Sequence, residues 1–144
     1  MKLARIDDLS SLIAVIIGEA GDEEFMGKLA VGCVVRNRLY DHRWPSTWKG
    51  VIYQKKQFSC MNEIPRNGNI PNYIQKNLFP VTMYNAAWWR ECKFAAWGVM
   101  FDWVRDITNG ANHYLNPALL KKLPVWALGE TPVCRIGNHE FFRL

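Results

Sequence analysis

Two acidic side chains are the first residues placed to do chemistry. Glu19, the first glutamate of the chain, ends the apolar run from Leu12 to Ile17 in the string Ile16-Ile17-Gly18-Glu19-Ala20-Gly21. A carboxyl group at the rim of an apolar cleft has its charged form disfavoured by desolvation, so it can keep a proton and act as a general acid. The plainer alternative is a bridge from Glu19 to a nearby Arg or Lys. Glu23 follows four residues later and shares the face of Glu19 if the helix runs on through Gly21. Its alternative is ordinary charge at a helix start, which Asp22-Glu23-Glu24 suits well.

The remaining reactive types are spread out. His113 and His139, with Cys60, Cys92 or Cys134, have none of the usual zinc-ligand spacings, and no Cys-x-x-Cys pair is present. Neither a metal nor a cofactor is expected, and the histidines read as structural. Cys33, inside Ala30-Val31-Gly32-Cys33-Val34-Val35, reads as a buried small apolar residue, and a Cys60 to Cys134 pairing stays open.

Helices must position these groups. Asp7 or Asp8 can cap a first helix whose Leu9, Leu12, Ile13, Ile16 and Ala20 form one apolar face, with Gly21 ending it and Glu19 half-buried at the edge. A second helix is expected from Asp22 or Glu23 to Tyr40. Its middle is apolar all round, as in a central core helix, with small residues that let neighbours approach. Ser46 is placed to cap a short segment through Gln54. Lys55 to Pro80, rich in Asn and Pro, reads as long loop with one short helix near Tyr73 to Asn77. A third long helix is expected over Val81 to Val104, with Trp89, Trp97, Met100, Phe101 and Val104 as a core stripe. Beyond Asp106 the pattern breaks into turns, with strands around His113-Tyr114 and Phe141-Phe142.

Composition fits one domain over residues 1–144: 49% of the residues are hydrophobic, enough for a sizeable single core. Seven Trp, seven Phe and five Tyr are many for this length, and two or three of them are expected to line a groove. The net charge of +5 favours polyanions, but the basic residues are scattered rather than gathered into a stripe. No apolar segment is long enough to span a bilayer, and the N-terminus lacks the apolar region of a signal peptide, so synthesis in the cytosol is expected.

Five strings in order, "GEAGDEEFMGKLAVGCVVRNRL", "VIYQKKQFSC", "GANHYLNP", "LPVWA" and "IGNHEFF", resemble the spore-cortex-lytic cell-wall hydrolase family of the SleB and CwlJ type. The resemblance implies a mainly α (α+β) domain with a small β element, lysozyme-like and lytic-transglycosylase-like. It also implies cleavage of peptidoglycan between N-acetylmuramic acid and N-acetylglucosamine. By position, the family's catalytic glutamate falls on Glu19 and a second acidic position on Glu23. An Asn-Arg pair falls on Asn37-Arg38, and Gln-Phe-Ser on Gln57, Phe58 and Ser59. Later signatures fall on His113, Tyr114 and Asn116, on Pro124 and Trp126, and on Ile136, Gly137, Asn138, His139 and Phe141. Ile17 stands where the family commonly has an aromatic residue, and Gly21 where an Arg is common.

An ordinary glycosidase needs two carboxylates at a defined separation. With Glu19 alone matching in motif and environment, attack by the muramic acid's own C6 hydroxyl becomes the expected route, so a lytic transglycosylase is expected. A hydrolytic muramidase is its nearest variant. Tyr114, Gln57 and Asn116 are candidates for stabilising the reacting sugar, and Trp126 and Phe58 for stacking on sugar faces. The expected partner is the peptidoglycan glycan strand, cleaved by a monomer without stable membrane insertion. A bare catalytic domain fits a bacteriophage endolysin released by a holin, or a virion-associated lysin. The competing reading is a non-enzymatic DNA-binding module built on Leu9 to Leu39, against which the acidic cluster in the turn would repel phosphate.

Overall fold

The computed structural model describes residues 6–54 and 87–144. The proposed loop and short helix within Lys55 to Pro80, with Gln57, Phe58 and Ser59, lie outside the described residues.

Helix α1 spans Ile6–Ala20, α2 Phe25–Tyr40, α3 Trp48–Ile52 and α4 Ala87–Met100. Every residue of α2 from Gly27 to Arg36 is buried, which is why that stretch carries no polar stripe: the helix is the axis around which the others pack. α1 and α4 close on it where Gly32 has no side chain, since a Cβ there would lie 3.0 Å from Val99 Cγ2 and 3.4 Å from Ile16 Cδ1. Leu12, Val15, Ile16, Val31, Val35, Trp48, Ile52, Ala96 and Met100 belong to the main core that results.

Several boundaries differ from the sequence reading. Asp7 and Asp8 lie in the first turn of α1 and not before it, and Asp7 pairs with Lys49. Helix α2 starts at Phe25 instead of at Asp22 or Glu23, so Glu23 belongs to the connecting turn. Thr47, rather than Ser46, caps α3, with its hydroxyl accepting from Gly50 N at 3.0 Å. Helix α4 stops at Met100 because Asp102 takes a left-handed φ of 57°, and the amides of Trp103 and Val104 turn back onto Gly98 O. The expected aromatic core stripe is therefore divided. Trp89 and Met100 are buried, whereas Phe101 is half-buried and Trp97 reaches the surface beside Trp103.

The sheet contains both expected strands and one that the sequence reading missed. β1 (His113–Leu115), β2 (Cys134–Ile136) and β3 (His139–Phe142) form an antiparallel sheet in the order β1-β3-β2. Tyr114 pairs with Phe141 and Ile136 with His139, which fixes the register. Since side chains alternate along a strand, Tyr114, His139 and Phe141 share the face that packs on Ala30 and Val34 of α2. His113, Leu115 and Phe142 share the other face, where Leu115 and Phe142 are covered by Ala127 and Trp126. Cys33 and Cys92 are buried thiols, and burial pushes Cys92 up to about 12, so both act as small apolar groups. Cys134 is a free thiol, and Cys60 lies outside the described residues.

Candidate active site

Glu19 occupies the last turn of α1, half-buried between exposed Gly18 and fully buried Ala20, as the apolar periodicity requires. Its Oε1 is shielded from solvent and has no hydrogen-bond partner among the described residues. An unsatisfied buried oxygen costs on the order of 1–3 kcal/mol, so the arrangement is a loss to the fold unless something else uses the group.

Arg38, on the last turn of α2, lies within electrostatic reach of this carboxylate. Its side chain is buried and its Nε donates to Asn112 O at 2.6 Å. Burial pulls the guanidinium down to about 10, and Tyr114 and Glu19 partly offset that pull. The helix end, the start of β1 and the central helix thus meet electrostatically at one guanidinium that cannot move far. Sequence reasoning quoted Arg38 only as half of a motif pair. Its buried place in the last turn of a largely apolar helix, two turns from Val31, was the available signal.

Glu23 does not share the face of Glu19, because α1 ends at Ala20 and the turn carries Glu23 towards the β2–β3 hairpin. Its buried carboxylate accepts Asn138 N at 3.2 Å and Asn138 Nδ2 at 3.3 Å. His139 Nδ1 lies 3.0 Å from Glu23 Oε1 but off the line of an aligned hydrogen bond, so that contact is electrostatic. Gly137, at φ 58° in the hairpin turn, completes the pocket: a Cβ there would come 2.6 Å from Glu23 Oε2. His139 in turn meets the Tyr114 ring edge-on at 5.2 Å. Glu23, Asn138, His139 and Tyr114 therefore form one brace that holds the sheet against α2.

His113 and Tyr114 are neighbours in sequence but point to opposite faces of the sheet. His113 packs on Trp126 at 4.8 Å and on Trp44 at 5.9 Å between ring centres. Its Nδ1 lies 2.7 Å from Asn112 Oδ1. The Asn112 amide is oriented at both ends by the backbone of Leu144, so its oxygen faces the imidazole and Nδ1 is assigned the proton. Burial, with Arg38 and Arg43 nearby, pushes His113 down to about 4, leaving a neutral ring at neutral pH.

The other candidates hold loops. Asn37 Nδ2 donates to Ala111 O at 2.8 Å and lies 3.3 Å from both Asp106 Oδ2 and Thr108 Oγ1. Burial pushes the Asp106 carboxyl up, but hydrogen bonds from Thr108, Gly110 and Asn37 outweigh it and hold the group below its ordinary value. Asn116 caps the turn at Pro117–Leu119 by accepting Ala118 N at 3.1 Å. Trp126 meets Phe142 edge-on at 5.3 Å as well as His113. An open cavity of about 1110 Å³ borders the end of α1 at Ile17, Gly18 and Gly21, with Lys28, Trp88 and Glu91 across it; Glu19 is not among its lining residues. Among the described residues no cluster of His, Cys, Asp or Glu is arranged to hold a metal.

A mainly helical domain with Glu19 in the last turn of α1, and with a small antiparallel sheet packed on the central helix α2, is similar in build to a lysozyme-like domain. Comparison with known proteins agrees and narrows the class. The family described as Cell Wall Hydrolase matches residues 22–142, and the chain belongs to that family. The matched span begins just after Glu19 and takes in Glu23 and the whole sheet.

The spore cortex-lytic enzyme of Bacillus cereus is 25% identical over 135 residues, covering 94% of this chain and 44% of that protein. The enzyme of the same name from Bacillus subtilis is 27% identical over 135 residues, covering 94% of this chain and 37% of its own length. The chain thus spans less than half of these relatives. The crystal structure of the catalytic domain of the Bacillus cereus SleB protein superposes with a TM-score of 0.72 at 23% identity, covering 99% of this chain and 94% of that one. The catalytic domain of the germination-specific lytic transglycosylase SleB from Bacillus anthracis gives a TM-score of 0.71 at 21% identity, covering 99% of both chains. These likenesses establish the mainly helical, lysozyme-like fold.

Proposed function

We propose that this chain cleaves the glycan strand of peptidoglycan between N-acetylmuramic acid and N-acetylglucosamine as a lytic transglycosylase, with Glu19 as the single acid and base. The observation that carries this reading is the contrast between two carboxylates. Glu19 holds an oxygen with no partner among the described residues, while Glu23 is committed to Asn138 and His139. One uncommitted carboxylate suits a reaction that needs only one.

In the proposed sequence, the Glu19 carboxylic acid gives its proton to the glycosidic oxygen. The bond from the muramic acid C1 to that oxygen breaks, and the N-acetylglucosamine leaves with a hydroxyl. The muramic acid C6 hydroxyl then attacks C1 of the oxocarbenium ion and passes its proton to the Glu19 carboxylate. The product is a 1,6-anhydro end and the acid is restored. Arg38, whose charge is felt by both Glu19 and Tyr114, is the group on hand to steady charge as it develops.

The test is mass spectrometry of muropeptides released from purified sacculi by the wild type and by Glu19→Gln. Anhydro-muramic ends that vanish with the variant support the proposal. Reducing muramic ends mean that water attacks, which replaces it with a muramidase. Full activity in Glu19→Gln removes Glu19 from the chemistry.

A further inference from the structure

The stretch from Leu119 to Leu128 exposes apolar surface that neither the fold nor the proposed reaction uses. Leu119 is 79% and Val125 85% exposed, and Leu120, Leu123 and Leu128 are each exposed by two fifths or more. Exposed apolar residues scattered singly are normal, whereas five of them within the ten residues of one loop point to a contact surface. Lys121 and Lys122 stand in the middle of the group, both exposed, and neither pairs with a carboxylate among the described residues. No acidic residue lies between Leu119 and Leu128; Glu130 follows beyond the apolar end.

The segment is held from behind. Asn116 caps its first turn, and Ala127 N and Leu128 N close its second turn onto Pro124 O and Val125 O at 2.9 and 3.2 Å. Trp126 and Ala127 point inwards against Phe142 and Leu115. The leucines, Val125 and the lysines are therefore what a preformed, anchored loop presents outwards.

We infer that this loop docks on an anionic lipid surface, with Leu119, Leu123 and Val125 entering the headgroup boundary and Lys121 and Lys122 meeting lipid phosphates. Charge complementarity together with the exposed apolar flank favours lipid over a purely polar polyanion. Apolar side chains that flank paired lysines match the mixed character of a bilayer interface, where burial of apolar area and attraction to acidic headgroups add. The contact lies in the interface plane, and no helix among the described residues is long and apolar enough to cross the membrane. It would hold a wall-acting domain beside the membrane face of its polymer.

The experiment is co-sedimentation of the full chain with vesicles of phosphatidylcholine alone and of phosphatidylcholine mixed with phosphatidylglycerol, at low and high salt. The wild type is expected to pellet with the mixed vesicles and to be released by salt. Lys121→Glu with Lys122→Glu should weaken binding about tenfold or more, because each reversal replaces attraction to the acidic headgroups with repulsion. Leu119→Ser with Val125→Ser should also lose binding while circular dichroism and sacculus digestion stay unchanged, since both side chains are solvent-facing.

Absence of vesicle binding overturns the inference, as does equal binding by both double variants. A wild-type dimer that Leu119→Ser with Val125→Ser converts to monomer, without vesicle binding, assigns the surface to a second copy instead. Loss of binding to lipid-free sacculi in the same variant, again without vesicle binding, assigns it to the glycan. Failure of the proposed glycan cleavage would show separately, in the muropeptides.

Discussion

Replacing Glu23 by Ala separates a bracing carboxylate from a catalytic one. The substitution removes the acceptor of Asn138 N and Nδ2 and the anion beside buried His139. Asn138 is exposed, so water can replace its two bonds, and each counts about 1 kcal/mol. His139 is buried and loses its carboxylate neighbour where water does not compensate, which adds about 1–2 kcal/mol. The total of roughly 3 kcal/mol corresponds to a fall of about 10 °C in Tm for a domain near this size. Thermal unfolding followed by circular dichroism reads the effect directly. Glu23→Gln, which keeps the volume and one acceptor oxygen, should fall between Glu23→Ala and wild type. A Glu23→Ala protein that melts with the wild type refutes the bracing argument. If that protein also loses activity as fully as Glu19→Gln, Glu23 is a second catalytic carboxylate and the one-acid mechanism fails with it.

Glu19→Gln should melt at or slightly above the wild-type temperature, because no described hydrogen bond depends on the buried oxygen, yet lose at least about a hundredfold in turbidity clearance of sacculi. Gly137→Ala should cost at least about 1–2 kcal/mol in urea unfolding, since a left-handed backbone and a contact with Glu23 Oε2 both oppose the methyl group. His113, neutral down to about 4 in the fold and ordinary near 6.5 when unfolded, binds more protons in the unfolded chain between those values. Stability should therefore fall as pH drops from about 6.5 to 4, by about 1–2 kcal/mol once solvent screening is allowed for, and His113→Gln should flatten that window in urea titrations. Asp106, held below its ordinary value, contributes stability that is present above pH 4 and is lost as pH falls further. Asp106→Ala should abolish that acid-side loss and lower stability by roughly 2–3 kcal/mol throughout the neutral range, measured by the same titration.

Sequence alone settled what depends on short range. The burial of Cys33 follows from an apolar run with no polar face, and the half-buried rim position of Glu19 from the phase of α1. The two strands at His113-Tyr114 and Phe141-Phe142 were legible from local pattern, and the resemblance in five ordered strings carried the family and the fold. The third strand was not legible, because Cys134–Ile136 is three residues long and exists through pairing with β3. Trp97 fits a core stripe by spacing, yet which side of α4 is covered depends on where α1 and α2 lie. The different surroundings of Glu19 and Glu23 were likewise beyond local pattern. Four residues apart, they look like one face of one helix, and only the turn after Ala20, together with a hairpin more than a hundred residues away, sends the second carboxylate to Asn138 and His139. Periodicity reports which way a side chain points from its own element. What it then meets is fixed by contacts distant in sequence, and at this site those contacts tie Glu23 to the hairpin while Glu19 keeps an oxygen with no partner among the described residues.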